Sequence, residues 1–128
     1  MAFKPTDYSS VSPYFVCTDA ERLALYIELI FHGERLREYK REDGSIMHLE
    51  MRIDDTVLML ADATEQYPTN EQMIHVYVPD AKATYAKALE HGGEGMGEPE
   101  QREGDPDLRG TFRDFEGNVW SVSTQMEE

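Results

Sequence analysis

The chain has 128 residues, the usual size of one domain, and its twelve Lys and Arg against twenty-six Asp and Glu give a net charge of −14. A field of that sign repels nucleic acid and anionic membrane surfaces, so we expect neither as a partner. Cys17 is the only cysteine, which excludes an intramolecular disulfide and a cysteine zinc cluster. With no apolar run of about 18 residues, these features predict a cytoplasmic protein.

The first half of the chain begins with a predicted strand over 11–17 and a helix. Thr18 and Glu21 have the spacing of a capping box, in which the hydroxyl and the carboxylate each satisfy an amide at the helix start. Apolar residues then recur every three or four positions as far as Phe31. Gly33 is predicted to take the left-handed position after the helix end.

Three further strands are predicted, over 34–40, 45–53 and 56–61. The middle strand alternates, so its two faces differ in polarity. Its apolar face is predicted to carry Met47, Leu49, Met51 and Ile53, and its polar face His48, Glu50 and Arg52.

The second half of the chain repeats this order. A strand over 72–78 precedes a helix that runs from Asp80 to His91, and a closing hairpin pairs the residues before Arg113 with a strand over 119–123. Between them, the polar segment 98–110 is predicted to be a mobile loop because of its Gly-Asp-Pro-Asp cluster.

Two dipeptides mark the repeat. Asp80-Ala81 follows Asp19-Ala20 by 61 positions, and His91-Gly92 follows His32-Gly33 by 59. The chain is therefore predicted to contain two copies of one βαβββ unit, at about 8–62 and 71–124, in a single domain over 1–128.

In three places the sequence resembles the vicinal oxygen chelate superfamily, which includes glyoxalase, bleomycin-resistance proteins and extradiol dioxygenases. These are the strand pair SIMHLEMRIDDTVLMLADA, the strand-to-helix passage HVYVPDAKATYAKALEHGG and the closing hairpin around Asp114 to Trp120. The resemblance implies an α+β fold in which two βαβββ repeats form curved mixed sheets around a cup, with helices on the outer face. It does not fix the reaction, since one scaffold hosts many chemistries.

The resemblance also implies four metal-ligand positions, which fall on Ser12, Met59, Met73 and Ser121. None of these is a carboxylate or an imidazole, the donors that such divalent metals need. We therefore expect no metal cofactor, although a displaced ligand set remains a possible alternative.

Period-two alternation extends the predicted cup lining to neighbouring positions on the same strands. Met adapts its shape and Tyr offers a ring with a hydroxyl, which suits a small aromatic guest. The predicted ligand-binding residues are Ser12, Tyr14, His48, Glu50, Met59, Met73, His75, Tyr77, Ser121 and Ser123.

Three of these residues carry acid-base or metal-binding groups. One hypothesis is that His48, Glu50 and His75 converge as a non-standard metal site or an acid-base pair, which makes His48 and Glu50 the candidate catalytic residues. The alternative is that His48 and Glu50 line a half-solvated sheet face and that His75 bonds a tyrosine. Trp120 and Cys17 are predicted to lie in the core.

The leading functional hypothesis is a metal-free protein of the glyoxalase and bleomycin-resistance type that binds a cationic or aromatic small molecule. The rival is a metal-dependent lyase, isomerase or dioxygenase with non-standard ligands, or an acid-base catalyst using His48 and Glu50. A scaffold with an empty cup is a third possibility. Exposed sheet edges and an apolar concavity predict a homodimer.

Overall fold

The computed structural model of the protein describes residues 2–127. The chain forms two compact units, one ending at Asn70 and the other beginning at Glu71. Each unit holds one four-stranded mixed sheet and one helix. The elements in chain order are β1 (Tyr14–Cys17), α1 (Ala20–Phe31), β2 (Glu34–Lys40), β3 (Ile46–Ile53), β4 (Thr56–Asp62), β5 (Met73–Tyr77), α2 (Ala81–Glu90), β6 (Glu94–Gln101), β7 (Asp107–Arg113) and β8 (Val119–Gln125).

The same strand order recurs in the two sheets. It is β1-β4-β3-β2 in the first unit and β5-β8-β7-β6 in the second. In each unit the first and fourth strands are parallel, and the remaining pairs are antiparallel. The predicted α+β fold with two βαβββ repeats is confirmed.

In both units a helix covers one face of the sheet. In the first unit the covered face carries residues that are at most 2% exposed, among them Phe15, Leu49 and Leu60. These three lie side by side across the ladder. Trp120 and Val122 of β8 and Phe112 of β7 are fully buried in the second unit. Trp120 and Cys17 therefore lie in the core, as predicted.

Both helices begin in the same way. Asp19 accepts a hydrogen bond from the Arg22 amide, and Asp80 accepts one from the Ala83 amide. The predicted cap at Thr18 was one residue early, because Asp19 takes the N-cap position and Glu21 pairs with Arg35. Asp and Thr are both good N-caps, so spacing alone did not separate them.

The last strand of each unit supplies a second cap to the helix. The Asp62 carboxylate of β4 accepts from the Ala20 amide at 2.8 Å, and the Thr124 hydroxyl of β8 accepts from the Ala81 amide at 2.8 Å. Each of these capping residues lies more than forty positions along the chain from the amide it caps. The Asp-Ala repeat thus marks a junction where strand and helix satisfy each other's polar groups.

The two helix ends differ, and the prediction for Gly33 was wrong. His32 takes the left-handed conformation with a φ of 56°, whereas in the second unit Gly92 does so with a φ of 105°. Gly33 is needed for another reason: a Cβ there would lie 2.7 Å from Cγ2 of Ile27.

Strands β6 and β7 replace most of the loop predicted over 98–110, leaving only a short turn between Gln101 and Asp107. Strand β6 has low strand propensity, with two glycines and Pro99, but it is an edge strand with irregular register, where proline and bulges are tolerated. Pairing with β7 overrode its local preference. None of the helices within residues 2–127 is long and apolar enough to cross a membrane.

Candidate functional site

Pairing across the first sheet brings one tyrosine and one glutamate to the same row of its uncovered face. Met59 lies between Tyr14 on one side and Glu50 on the other. His48 follows Glu50 by two positions and therefore lies on the same face. The alternation predicted both residues on one face, and the structure has them there in contact; Glu50, however, is only 6% exposed and not half-solvated.

Four side chains on this face form a continuous chain of hydrogen bonds. The Tyr8 hydroxyl donates to Oε1 of Glu50, and Oε2 of Glu50 lies 3.0 Å from Nε2 of His48. Nδ1 of His48 lies 2.9 Å from the Tyr14 hydroxyl. A carboxylate only accepts, so Nε2 of His48 carries the proton toward Glu50. In the neutral ring Nδ1 then accepts from Tyr14, which fixes the direction of every bond in the chain.

The ionisation of these groups follows from the same contacts. Burial opposes the charged form of Glu50, but hydrogen bonds from Tyr8 and His48 outweigh it, so the pKa of Glu50 is lowered. The bond to Glu50 raises the pKa of Tyr8. Burial raises the pKa of Tyr14, although the nearby charge of Arg41 acts in the opposite direction. Glu50 is thus the anion of the group, and the two tyrosines stay protonated.

Beside this chain lies a cavity of about 490 Å³, called here the first-unit cavity. Its volume falls within the range of ligand sites in proteins. Tyr14 belongs to both features, since its hydroxyl bonds His48 and its side chain lines the cavity. The lining residues are Tyr14, Val16, Arg41, Met47, Ala61, Asp62, Tyr67 and Asn70.

Several of these lining residues were missed or misplaced by sequence reasoning. Met47 was predicted on the apolar face of its strand, but it is 49% exposed and lines the cavity. Arg41 and Tyr67 lie in turns, where no periodicity marks a side chain's direction. No sequence pattern pointed to Asn70 either. Its side chain donates to the Tyr14 carbonyl and accepts from the Val16 amide, each at 2.9 Å, and so binds the connector to β1.

Ser12 lies outside β1, although it was predicted within a strand over 11–17. Its hydroxyl lies 3.4 Å from that of Ser9. Proline at position 13 has no amide to donate, and the strand begins only at Tyr14.

In the second unit, the predicted residues on β5 and β8 lie opposite each other in the parallel ladder. His75 pairs with Ser121 and Tyr77 with Ser123. Nδ1 of His75 lies 3.1 Å from the Ser121 hydroxyl, so this imidazole bonds a serine rather than a tyrosine. It meets the Tyr77 ring only edge-on, at 5.0 Å between centroids. Met73, at the start of β5, is 75% exposed.

Tyr77 and Ser123 have contrasting polar environments. The Tyr77 hydroxyl donates to Asp107 at 2.7 Å, and this bond raises the pKa of Tyr77. Ser123 Oγ is buried and has no hydrogen-bond partner within the described residues.

A second depression, of about 600 Å³, lies on β6 and β7 and is lined mainly by charged side chains. Its two arginines are already paired, Arg102 with Glu100 at 3.0 Å and Arg109 with Asp105 at 3.1 Å. With its charges satisfied and few apolar walls, this depression is a poorer ligand site than the first-unit cavity.

The positions implied for metal ligands do not fit a divalent cation. Ser12, Met59, Met73 and Ser121 offer hydroxyls and thioethers, and such neutral groups do not offset the cost of dehydrating a dication. Over residues 2–127, no group of three or more His, Cys, Asp or Glu side chains is arranged to hold a metal.

No family model matches the sequence, and no curated protein matches it. Solved structures do match. TioX from Micromonospora sp. ML1 is 17% identical, with a TM-score of 0.76, and the alignment covers 91% of this chain and 98% of TioX. A glyoxalase/bleomycin resistance protein from Streptomyces sp. CB03234 is 20% identical, with a TM-score of 0.67 and coverage of 89% and 98%. TnmS3, an antibiotic binding protein from the same source, is 20% identical, with a TM-score of 0.63 and coverage of 91% and 97%.

Proposed function

Because the chain has the fold of the vicinal oxygen chelate superfamily, we propose that it binds a small molecule without a metal, and that the ligand occupies the first-unit cavity. The observation that carries this proposal is the cavity itself, whose Tyr14, Tyr67, Val16 and Met47 side chains offer rings and aliphatic surface. That TnmS3 is an antibiotic binding protein is a supporting analogy. An aromatic ligand suits this lining.

Of the two ligand classes expected from the sequence, the aromatic one gains more support than the cationic one. The net charge of −14 attracts cations at long range. Inside the cavity, however, Arg41 contributes a positive charge to the wall, and both carboxylate oxygens of Asp62, the acid in the same wall, already accept main-chain amides. A cation placed there meets that charge at short distance, where it is screened least.

A titration with 2-naphthol, an uncharged aromatic probe, tests the proposal. We expect saturable NMR shifts at the amides of Val16, Ala61 and Asn70, which line the cavity. Tyr67→Ala should weaken binding by roughly tenfold, because it removes one ring from the wall. Phe3→Ala is the control, since it deletes an aromatic ring that is 90% exposed and outside the cavity. A panel of aromatic probes that left all three amides unshifted would refute the proposal.

The metal-free part of the proposal has a separate test. Protein purified without chelators should contain no stoichiometric iron, manganese, nickel or zinc by elemental analysis. One equivalent of any of them would favour the rival, a lyase, isomerase or dioxygenase with displaced ligands.

The hydrogen-bond chain from Glu50 through His48 to Tyr14 favours a second candidate function, acid-base catalysis at the cavity. In that reaction Tyr14 would exchange a proton with the ligand while His48 takes up or returns one. Deuterium from solvent would then enter a bound probe in the wild type and not in His48→Gln. Probes that bind and are recovered without deuterium would leave binding as the function.

We also retain a homodimer as a proposal. Strand β5 is a sheet edge, and it carries the exposed side chains of Met73 and Tyr77. Light scattering at micromolar concentration should give twice the chain mass of 14.7 kDa. A monomer at that concentration would contradict it.

A further inference from the structure

Arg41 is the cationic side chain in the wall of the first-unit cavity, and all its hydrogen bonds go to neutral acceptors. Its guanidinium donates to the Ser45 hydroxyl at 3.2 Å and to the carbonyls of Ile46 and Asp62 at 3.4 Å. These are long contacts for a charged donor, which normally approaches an anion to 2.7–2.9 Å. The guanidinium therefore bonds no carboxylate, and neutral oxygens alone accept from its N–H groups.

Asp62 carries the carboxylate among the lining residues, and this carboxylate does not bond Arg41. The two oxygens of Asp62 accept from the Ala20 amide at 2.8 Å and the Ile46 amide at 2.7 Å. Only its main-chain carbonyl contacts Arg41. Asp43 is exposed, and its carboxylate accepts from the Ser45 amide and hydroxyl; these bonds, with a smaller contribution from the charge of Arg41, lower the pKa of Asp43. Among residues 2–127 Arg41 forms no salt bridge, although the chain has twenty-six acids.

We propose that the ligand of the first-unit cavity combines an apolar, ring-bearing body with a carboxylate or similar oxyanion, and that Arg41 binds this anionic group. This inference rests on the proposed function and names its ligand class. The planar guanidinium can donate two parallel hydrogen bonds to one carboxylate. Its present bonds to the neutral carbonyls of Ile46 and Asp62, at 3.4 Å, are longer and weaker than such a pair. Tyr67 and Val16 contact the body.

The net charge of −14 does not oppose this assignment at the cavity. Exposed charges farther away than about 8 Å are largely screened at physiological ionic strength. The short-range contact with Arg41 inside a partly enclosed cavity is screened much less. The acidic surface then affects the association rate of an anionic ligand, and the contact with Arg41 affects its dissociation rate.

Three probes that share a naphthalene ring but differ in charge separate the effect of the charge on affinity from that of the ring. These are 2-naphthoate, 2-naphthamide and 2-naphthylmethylammonium, each titrated into the full chain by calorimetry. We expect 2-naphthoate to bind at least about tenfold more tightly than the ammonium compound, with the amide between them. This ranking is measured on the wild type and does not depend on any variant folding.

Substitution at Arg41 then assigns the effect. Arg41→Gln should weaken 2-naphthoate roughly 10- to 100-fold and leave 2-naphthamide within about threefold. Arg41→Lys keeps the positive charge but loses the planar guanidinium, so its affinity for 2-naphthoate should lie between those of the wild type and Arg41→Gln. Arg113→Gln is the matched control, because it makes the same change in net charge in the second unit, on β7, and should leave all three affinities unchanged.

The outcomes distinguish this inference from the proposed function. If all three probes bind with equal affinity, or the ammonium compound binds best, the inference is overturned and an aromatic-binding cavity remains. If 2-naphthoate binds best but Arg41→Gln does not weaken it, the anion lies elsewhere and the inference is likewise overturned. If no probe binds, the proposed function fails and the inference fails with it.

Discussion

Nε2 of His48 and Oε2 of Glu50 lie 3.0 Å apart, which ties an imidazole to a carboxylate that is only 6% exposed. Tyr8 holds the other oxygen of that carboxylate. Glu50 is therefore a buried anion that two hydrogen-bond donors and the charge of Arg37, 3.9 Å from Oε1, stabilise, and its ionisation is coupled to folding.

Glu50→Gln should flatten the acid side of the stability profile. The ordinary pKa of a glutamate side chain is 4.5, and that of Glu50 is lower in the folded chain. The stabilisation that ionised Glu50 gives to the folded state is therefore fully present above pH 4.5. It is lost as the pH falls through the lower pKa that Glu50 has in the folded chain. Urea unfolding between about pH 3 and 7 measures this slope. Glu42→Gln makes the same change in an exposed turn and should keep the wild-type profile; a Glu50→Gln profile as steep as wild type would contradict the coupling.

Asp114→Ala should destabilise the second unit strongly. The Asp114 carboxylate is buried and accepts from the Trp120 indole at 2.8 Å and from the amide and side chain of Asn118. Its removal leaves buried donors unpaired, at a cost of at least about 3 kcal/mol in unfolding free energy.

The single tryptophan reports this loss directly. Urea unfolding followed by Trp120 fluorescence measures it, with Asp114→Asn expected to lose less because the amide oxygen keeps one acceptor. Asp55→Ala, in the exposed turn between β3 and β4, is the control and should change stability by less than about 0.5 kcal/mol. Equal losses in the Asp114 and Asp55 variants would argue against the network.

Ser123→Ala should leave stability unchanged or raise it by up to about 1 kcal/mol. The Ser123 hydroxyl is fully buried, and no group within residues 2–127 bonds it. Replacing an unsatisfied hydroxyl by a methyl group removes a desolvation penalty.

Ser121→Ala is the matched comparison two residues away on the same strand, and it should lower stability because it removes the partner of His75. Chemical unfolding of both variants measures the sign of each change in unfolding free energy. A loss of more than about 1 kcal/mol in Ser123→Ala would indicate that this hydroxyl has a partner.

Gly110→Ala and Gly97→Ala should have unequal effects although they lie on neighbouring strands. A Cβ at Gly110 would lie 2.8 Å from Cγ and 3.1 Å from the nitrogen of Pro99, so the edge strand must shift. We expect a loss of about 1–3 kcal/mol from this overpacking. A Cβ at Gly97 meets nothing within 4 Å and should cost little. Thermal unfolding of the pair measures the difference, and equal melting temperatures would contradict the close approach.

Local sequence signals were sufficient for the repeat. The repeated Asp-Ala pairs predicted two equivalent helix starts, although the first cap was predicted at Thr18. In the structure Asp19 and Asp80 are the N-caps, each accepting from an amide within the first turn. The alternation in 45–53 placed His48 and Glu50 on one face, since the period of a strand is fixed. The same alternation placed Trp120 in the core, and Cys17 was placed there because a lone cysteine more often packs than reacts.

Only the tertiary structure decided how these elements bond and what they enclose. Strand β6 forms in spite of Pro99 because β7 pairs with it, which no local propensity predicts. Ala20 receives its second cap from Asp62, forty-two residues away. Arg41 and Tyr67 enter the cavity from turns whose direction depends on packing. Sequence therefore determined the order of most elements and the faces of most strand residues, because these depend on near neighbours. The site depends on contacts between distant residues, and those the sequence alone did not predict.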